Sequence, residues 1–263
     1  MSPISFVGKV VDEKGDAVAG ATVDWRANNN PDPANPGTDG SVSSDENGIF
    51  RISSNGIALF VKVSKAGYYS FNDASNGTNA SAGQFSNAIA LGNTDRPMGT
   101  EHAPAMFVLR TRGDTAFLIH VTDRPIQIPK DGTPVDIALD AGKRVGFGKG
   151  HLRIECWTND QNKDGRGSYP WRCQVSVPGG GLAHRQDEFA FEAPLEGYRP
   201  SDELAPAQDW SPVAERQYFV KTGNSHFARV SLRMRTGGEH FLVIESYFNP
   251  VPHSRNLEAQ EGN

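Results

Sequence analysis

The stretch His151–Val177 reads HLRIECWTNDQNKDGRGSYPWRCQVSV, and its two flanks decide the fold class. Leu152, Ile154 and Cys156 alternate with Arg153, Glu155 and Trp157, and Cys173, Val175 and Val177 resume the alternation beyond a polar interval. A period of two with one apolar side is the pattern of a half-buried strand. Cys156 and Cys173 both fall on the apolar side, so the spacing predicts facing strands bridged by a disulfide. Two buried thiols are the competing reading. A metal or redox role has no CxxC or catalytic histidine arrangement behind it.

Outward from this hairpin the same alternation recurs. Towards the N-terminus lie ISFVGKVVD from Ile4, ATVDWRA with Val23 and Trp25, a strand after the Asn47-Gly48 turn, IALFVKV with Leu59, Val61 and Val63, and PAMFVLR at 104–110. Asn28–Gly40 reads as a surface loop, and Asn72–Gln84 as too polar to pack. After a joint near 111–115, TAFLIHV and RPIQIP are predicted as two short strands, and Val135, Ile137 and Leu139 alternate in a third. Near the C-terminus, Ala228, Val230, Leu232 and Met234 are assigned to the core against Phe227, Arg229, Ser231 and Arg233. Phe241, Val243 and Glu245 oppose Leu242, Ile244 and Ser246 in a two-sided, central strand. The segment 201–214, SDELAPAQDWSPVA, is predicted as a short helical or irregular insertion, and about eight strands are expected beyond the joint.

Glycine (28) and proline (17) make up about a sixth of the 263 residues, a mixture that punctuates short strands rather than long helices. The expectation is an all-β chain of two antiparallel β-sandwich domains, at 4–111 with a polar insert at 72–104, and at 115–258, the second jelly-roll-like. The formal charge is −5 with both signs interspersed, so there is no basic tract for nucleic acid or for an anionic membrane. No run of eighteen apolar residues predicts a transmembrane helix. MSPISFVG lacks the features of a signal peptide. Together with the placement of the cysteines, this leads to the expectation of a secreted or periplasmic protein whose leader is absent.

The segments GKVVDEKGDAVAGATV, SDENGIFRI and ALFVKVSKAGYY resemble the carboxypeptidase regulatory-like domain, a transthyretin-like β-sandwich. The matching positions are Gly8, Val10, Asp12, Gly15, Gly20, Ala21, Val23, Asn47, Gly48, Phe50, Val61, Val63, Lys65, Gly67 and Tyr68. The resemblance covers residues 4–70, with 107–110 as its last strand, and it implies a noncatalytic module attached to other domains. On the physical reading alone, Gly15 and Gly48 sit in turns that call for positive φ, and Val10, Val23, Phe50 and Val61 point into a sandwich interior. The C-terminal domain is similar to second domains of exported proteins that carry this module, a likeness that supports export and assigns no activity.

Within the hairpin, Asp160, Asn162 and Asp164, followed by Gly165 and the carbonyl of Arg166, match the first half of a calcium loop. Trp171 stands where the bidentate glutamate belongs, and Asp187, Glu188 or Glu192 would have to complete the shell. The competing reading is an ordinary Asn/Asp/Gly hairpin bonded to its own backbone. Trp157, Tyr169 and Trp171, with Arg172, are the candidate ligand-binding residues, read as lying opposite the cysteines. Aromatic planes beside acids and amides suit a glycan. Burial against the N-terminal domain or the 201–214 insertion is the competing reading. His226 and His240, with Glu239 or Glu245, would form a zinc site if cross-strand neighbours. His184 with Asp187, and His120 with Asp123, are short-range polar pairs.

Glu155, Glu192 and Glu245 lie in or beside strands, but no spacing rule pairs them as glycosidase carboxylates. Ser225 and Ser246 lack a nucleophile elbow, and Gly179–Gly181 lack a phosphate-loop context. These residues lead to the expectation of a noncatalytic extracytoplasmic binding or accessory protein, with a carbohydrate or cell-surface partner and calcium as the candidate cofactor. The alternatives are a glycan-active hydrolase or lyase, and a structural or surface-assembly protein.

Overall fold

The computed structural model describes residues 3–28, 37–69, 81–86, 97–206 and 209–260, which form eighteen strands and no helix. The chain divides into two compact units, Met1–Arg112 and Gly113–Asn263.

The first unit contains β1 (Pro3–Asp12), β2 (Thr22–Asn28), β3 (Thr38–Ser43), β4 (Ile49–Asn55), β5 (Ala58–Ser64), β6 (Tyr68–Tyr69), β7 (Ala82–Ser86) and β8 (Ala105–Thr111). They form two four-stranded sheets, β4-β1-β8-β6 and β3-β2-β5-β7. Alternate residues of both sheets meet in one core, where Phe6, Val10, Phe50 and Phe107 face Val23, Leu59, Val61 and Phe85. Val10, Val23, Phe50 and Val61, the interior positions read from the sequence, are all at most 2% exposed. The Phe6 and Phe85 rings, 4.6 Å apart, join the two sheets.

Three expectations need correction here. The unit is not wholly antiparallel, because β1 runs parallel to β8, from Gly8 opposite Ala105 to Asp12 opposite Leu109. The polar insert contains a strand, because buried Phe85 anchors β7 against β5. The 28–40 loop is shorter than expected, since Thr38 already pairs with Ala27. Residues 72–80 and 87–96 of the insert and 29–36 of the loop lie outside the described residues.

Two turns of this unit share one local chemistry. The Asp12 carboxylate accepts the N–H groups of Lys14 and Asp16, both at 2.9 Å. Asp45 does the same for Asn47 and Ile49, at 2.9 and 2.8 Å. In each turn the glycine three positions on takes a positive φ, 88° at Gly15 and 76° at Gly48. A short acidic side chain thus replaces the missing ladder partners, and glycine removes the steric cost of the left-handed turn.

The second unit contains β9 (Ile119–Gln127), β10 (Val135–Ala138), β11 (Lys143–Val145), β12 (Leu152–Thr158), β13 (Trp171–Ser176), β14 (Gly181–His184), β15 (Ser201–Leu204), β16 (Val213–Lys221), β17 (Phe227–Arg235) and β18 (Phe241–Phe248). Its sheets are β11-β10-β12-β13-β15 and β14-β16-β17-β18-β9, antiparallel throughout. Leu152, Ile154 and Val175 of the first pack with Val230, Leu232, Leu242 and Ile244 of the second. Two buried hydroxyls tie the layers together. Tyr218 donates to Asp202 at 2.6 Å, and Ser246 donates to the Leu139 carbonyl at 2.6 Å. Burial, reinforced by Asp202, pushes the Tyr218 phenol up, which keeps it a donor.

The described residues of this unit form ten strands rather than eight. Residues 119–127 make one strand instead of two; Pro125 is tolerated because β9 is an edge strand paired only with β18. The start of 201–214 is strand, not helix, because β15 completes the sheet edge beside β13. In β17 the face assignment holds, since Ala228, Val230, Leu232 and Met234 are all at most 2% exposed; in β18 Leu242, Ile244 and Ser246 take the buried side.

Cys156 and Cys173 are direct cross-strand partners of β12 and β13, fully buried and joined by a disulfide across 17 residues of sequence. Replacing both by alanine should lower stability by about 2–4 kcal/mol, chiefly by freeing the unfolded chain. Urea unfolding of the double variant, compared with the parent protein, measures this difference.

Candidate functional site

The register of β12 and β13 sorts the candidate residues of the hairpin. Trp157 pairs with Arg172, and Cys156 with Cys173. Side chains alternate along a strand, so Trp171 shares the inner face with Cys173. The reading that placed Trp157, Tyr169 and Trp171 together opposite the cysteines is therefore corrected. Trp171 is 4% and Tyr169 5% exposed. Both pack against the segment before β16: Trp171 donates its indole N–H to the Ser211 carbonyl at 2.9 Å, and Trp210 donates to the Tyr169 carbonyl at 2.9 Å. Trp157 and Arg172 stay on the outer face, with the Arg172 guanidinium 4.5 Å from the indole centroid. They line a shallow depression of about 350 Å³ with Lys130, Thr158, Asn159 and Pro170.

The four proposed metal ligands are held by protein partners or lie in the turn itself. Asp160 pairs with Lys130 at 2.5 Å, an interaction that lowers its pKa. Asp164 accepts the N–H groups of Arg166 and Ser168 at 2.9 and 2.8 Å, and φ at Gly167 is 81°. This is the Asp12 and Asp45 turn again, so the second half of the calcium-like pattern is accounted for as hairpin geometry. Asn162 donates its backbone N–H to the Asn159 carbonyl at 3.3 Å.

His226 and His240 are not cross-strand neighbours, because they precede β17 and β18 and the antiparallel pairing sets those starts at opposite ends. His226 stacks on Phe248, with centroids 5.4 Å apart. His240 is buried beside the disulfide, whose sulfurs are bonded to each other and so are not thiolate ligands. Its Nδ1 lies 2.9 Å from the Ile128 carbonyl and its Nε2 2.9 Å from the Thr158 hydroxyl. A carbonyl only accepts, so Nδ1 carries the proton and Nε2 accepts from Thr158. His120 pairs with Glu245 at 3.1 Å. His184 pairs with Asp202 at 3.2 Å, not with Asp187. Glu192 pairs with Arg255.

A larger feature lies on the outer face of β14-β16-β17-β18-β9. One half of that face is covered: Phe219, Phe227, Leu118, Ala193 and Leu257 form a second small core there. The segment before Ala193 pairs with the C-terminal tail through the Leu257 N–H to the Phe191 carbonyl at 2.7 Å and the Glu192–Asn256 bridge. The other half is open and forms a groove of about 810 Å³. Its floor carries Gln217, Ser231, Arg233, Val243 and Glu245, and its borders carry Arg185, Arg235 and Phe241. Glu215 and Arg233, cross-strand partners, pair at 3.0 Å. Arg235 lies over the ring of its partner Phe241, 5.8 Å from the centroid.

At the boundary of the two halves sits Arg185, 8% exposed. Its Nε donates to the Ala190 carbonyl at 3.0 Å and its Nη1 to Gln217 Oε1 at 3.0 Å, while Nη2 donates to the Glu188 carbonyl. Burial first, and then the neighbouring charge of Arg229, pull its pKa down to about 10, which leaves it a cation at neutral pH. Sequence reasoning placed Arg233 on the outward side of its strand, read the strand of Val243 and Glu245 as two-sided, and did not find the groove. Which half of a sheet face a distant tail covers is not written in the strands themselves.

No family model matches the chain, and neither does any curated protein sequence. Among solved structures there is a likeness to 3-chlorocatechol 1,2-dioxygenase from Rhodococcus opacus, at 17% identity and a TM-score of 0.29, over 42% of this chain and 61% of that one. The chain thus spans less than two thirds of that protein, and a likeness this distant carries no argument about fold or activity.

Two predictions follow from the titratable groups and the hairpin. His151, whose Nδ1 accepts the Leu139 N–H at 3.1 Å, and His240 are both held below the ordinary value of 6.5 mainly by burial. Asp140 opposes the shift in His151, and the Ile128 carbonyl opposes it in His240. A base with a depressed folded pKa contributes stability that is complete above its unfolded pKa and is lost as pH falls below it. The melting temperature should therefore fall between about pH 7 and about pH 5, and His151→Asn should flatten that slope. A melting temperature unchanged by millimolar calcium supports the self-bonded hairpin, whereas a rise that disappears in Asp160→Asn supports the calcium reading of this loop.

Proposed function

We propose that this chain is a noncatalytic binding or accessory protein that acts outside the cytoplasm and holds carbohydrate in the open groove of the second unit. The observation that carries this reading is the groove itself, about 810 Å³ on the face of a five-stranded sheet. A rigid sheet fixes the spacing of its side chains, and an open face accepts an extended chain from the side. Gln217, Ser231, Glu215 and Glu245 offer donors and acceptors for hydroxyl groups, and Phe241, Val243 and Pro125 offer an apolar strip for sugar C–H faces.

The Trp157 patch, the carbohydrate candidate in the sequence, is the smaller of the two, about 350 Å³ against about 810 Å³. The buried disulfide supports an oxidising compartment. Among the described residues no helix is long and apolar enough to cross a membrane. For the first unit, we propose the noncatalytic supporting role of a regulatory-like, transthyretin-like module; the motif residues and the pair of four-stranded sheets support it. A jelly-roll-like arrangement is our reading of the second unit, supported by its two five-stranded antiparallel sheets.

Affinity electrophoresis through a panel of soluble polysaccharides tests the binding reading. At least one should retard the protein, and Phe241→Ala should weaken that retardation roughly fivefold through loss of a stacking surface worth about 1 kcal/mol. Trp157→Ala should leave it unchanged. Retardation lost in Trp157→Ala and kept in Phe241→Ala would move the site to the hairpin, and no retardation by any polysaccharide would remove the carbohydrate reading.

A further inference from the structure

We infer that the groove is built for an anionic saccharide, with a carboxylate of a uronic-acid chain seated against Arg185. The inference rests on the carbohydrate reading above and names the ligand class.

Arg185 carries the argument. It is 8% exposed, yet each of its three hydrogen bonds goes to a neutral oxygen: the carbonyls of Ala190 and Glu188, and the amide of Gln217. A guanidinium has five N–H donors, so two remain for a ligand. Asp187, Glu188 and Glu245 act on its charge through space, but no carboxylate among the described residues hydrogen-bonds it. A buried cation without such a bond is costly, and part of that cost is recovered when an anion arrives in a desolvated site. The side chain lines the groove, where the covered half of the sheet ends and the open half begins. The three neutral acceptors fix the plane of the guanidinium before any ligand binds, which limits the entropy lost on binding.

The surroundings select the kind of anion. Arg233 and Arg235 add two cations to the groove, against the carboxylates of Glu215 and Glu245, and Glu215 is paired with Arg233. Beyond that pair, Arg185 and Arg235 face the single carboxylate of Glu245, in a chain whose net charge is −5. The two glutamates work against a densely charged polymer such as a polyphosphate or a nucleic acid. A uronic-acid chain carries one carboxylate per sugar and hydroxyls between them. The carboxylate suits Arg185, the hydroxyls can donate to Glu215 and Glu245, and the ring C–H face suits Phe241.

The test uses the whole chain and three probes, polygalacturonate, alginate and hyaluronan, each beside its fully methyl-esterified form, with polyglutamate as the contrasting acidic peptide. Binding is read by affinity electrophoresis and by titration calorimetry. At least one acid form should bind, and esterification or Arg185→Gln should each weaken it about tenfold or more. Arg235→Ala, at an exposed position, should weaken it about threefold, and Arg144→Ala, exposed on β11, should not. Binding of the parent protein should fall as salt is raised. If Arg185→Gln does not fold, Arg235→Ala, esterification and the salt dependence decide. Equal binding of acid and ester forms overturns the anionic inference and leaves the carbohydrate reading in place. Loss of all polysaccharide binding overturns both. Polyglutamate bound as tightly as the best polysaccharide overturns the choice of a saccharide.

Discussion

The pairing of β12 with β13 is the constraint on which the second unit depends. The Cys156–Cys173 bond joins two residues already opposite each other, so the pairing cannot slip by one position without breaking it. A slip of one residue would turn every side chain of a strand to the other face. With the register held, Ile154 and Val175 face the core, Trp171 follows Cys173 inward, and Trp157 and Arg172 turn outward. The first sheet then presents a complete apolar face to the second, and the sandwich closes around it.

The second sheet has a different problem, because five strands have two faces and the core uses only one. The chain covers half of the other face with the segment around Phe191 and with its own tail, which brings Leu257 over Phe219 and Phe227. The half left open is polar, and Glu215 and Arg233 pair across its strands. Arg185 stands at the border. It ties the covering segment to the sheet through Ala190, Glu188 and Gln217, and it also faces the groove. One residue thus links the architecture of the face to its chemistry.

The strands were legible wherever the alternation was strict. The inward sets of β17 and β18, the interior of β1, β2, β4 and β5, and the direct opposition of the two cysteines all follow from a period of two. Legibility ended where one residue or a distant segment decided the matter. Phe85 converts a polar stretch into a strand, and nothing in its neighbours announces it. Tyr169 and Trp171 carried two readings in the sequence, and burial against the 201–214 segment is the one that holds, with Ser211 and Trp210 covering them from forty residues away. The turn at Asp164 was legible as a self-bonded hairpin: Asp12 with Gly15 and Asp45 with Gly48 show the same acid and glycine three positions apart. The groove was not legible, because it is defined by what the tail leaves uncovered.

Each unit also closes on itself, pairing its first strand with its last: β1 beside β8, and β9 beside β18. Strands so far apart in sequence meet late, since closing so long a loop has to precede any gain from the contact. During synthesis β9 leaves the ribosome well before its sole neighbour exists, and its backbone groups have no ladder until β18 follows. An unpaired strand edge is a template for association with other chains. The nascent second unit is therefore most vulnerable to aggregation just before its last strand is made, and a chain ending short of β18 would keep that edge open permanently.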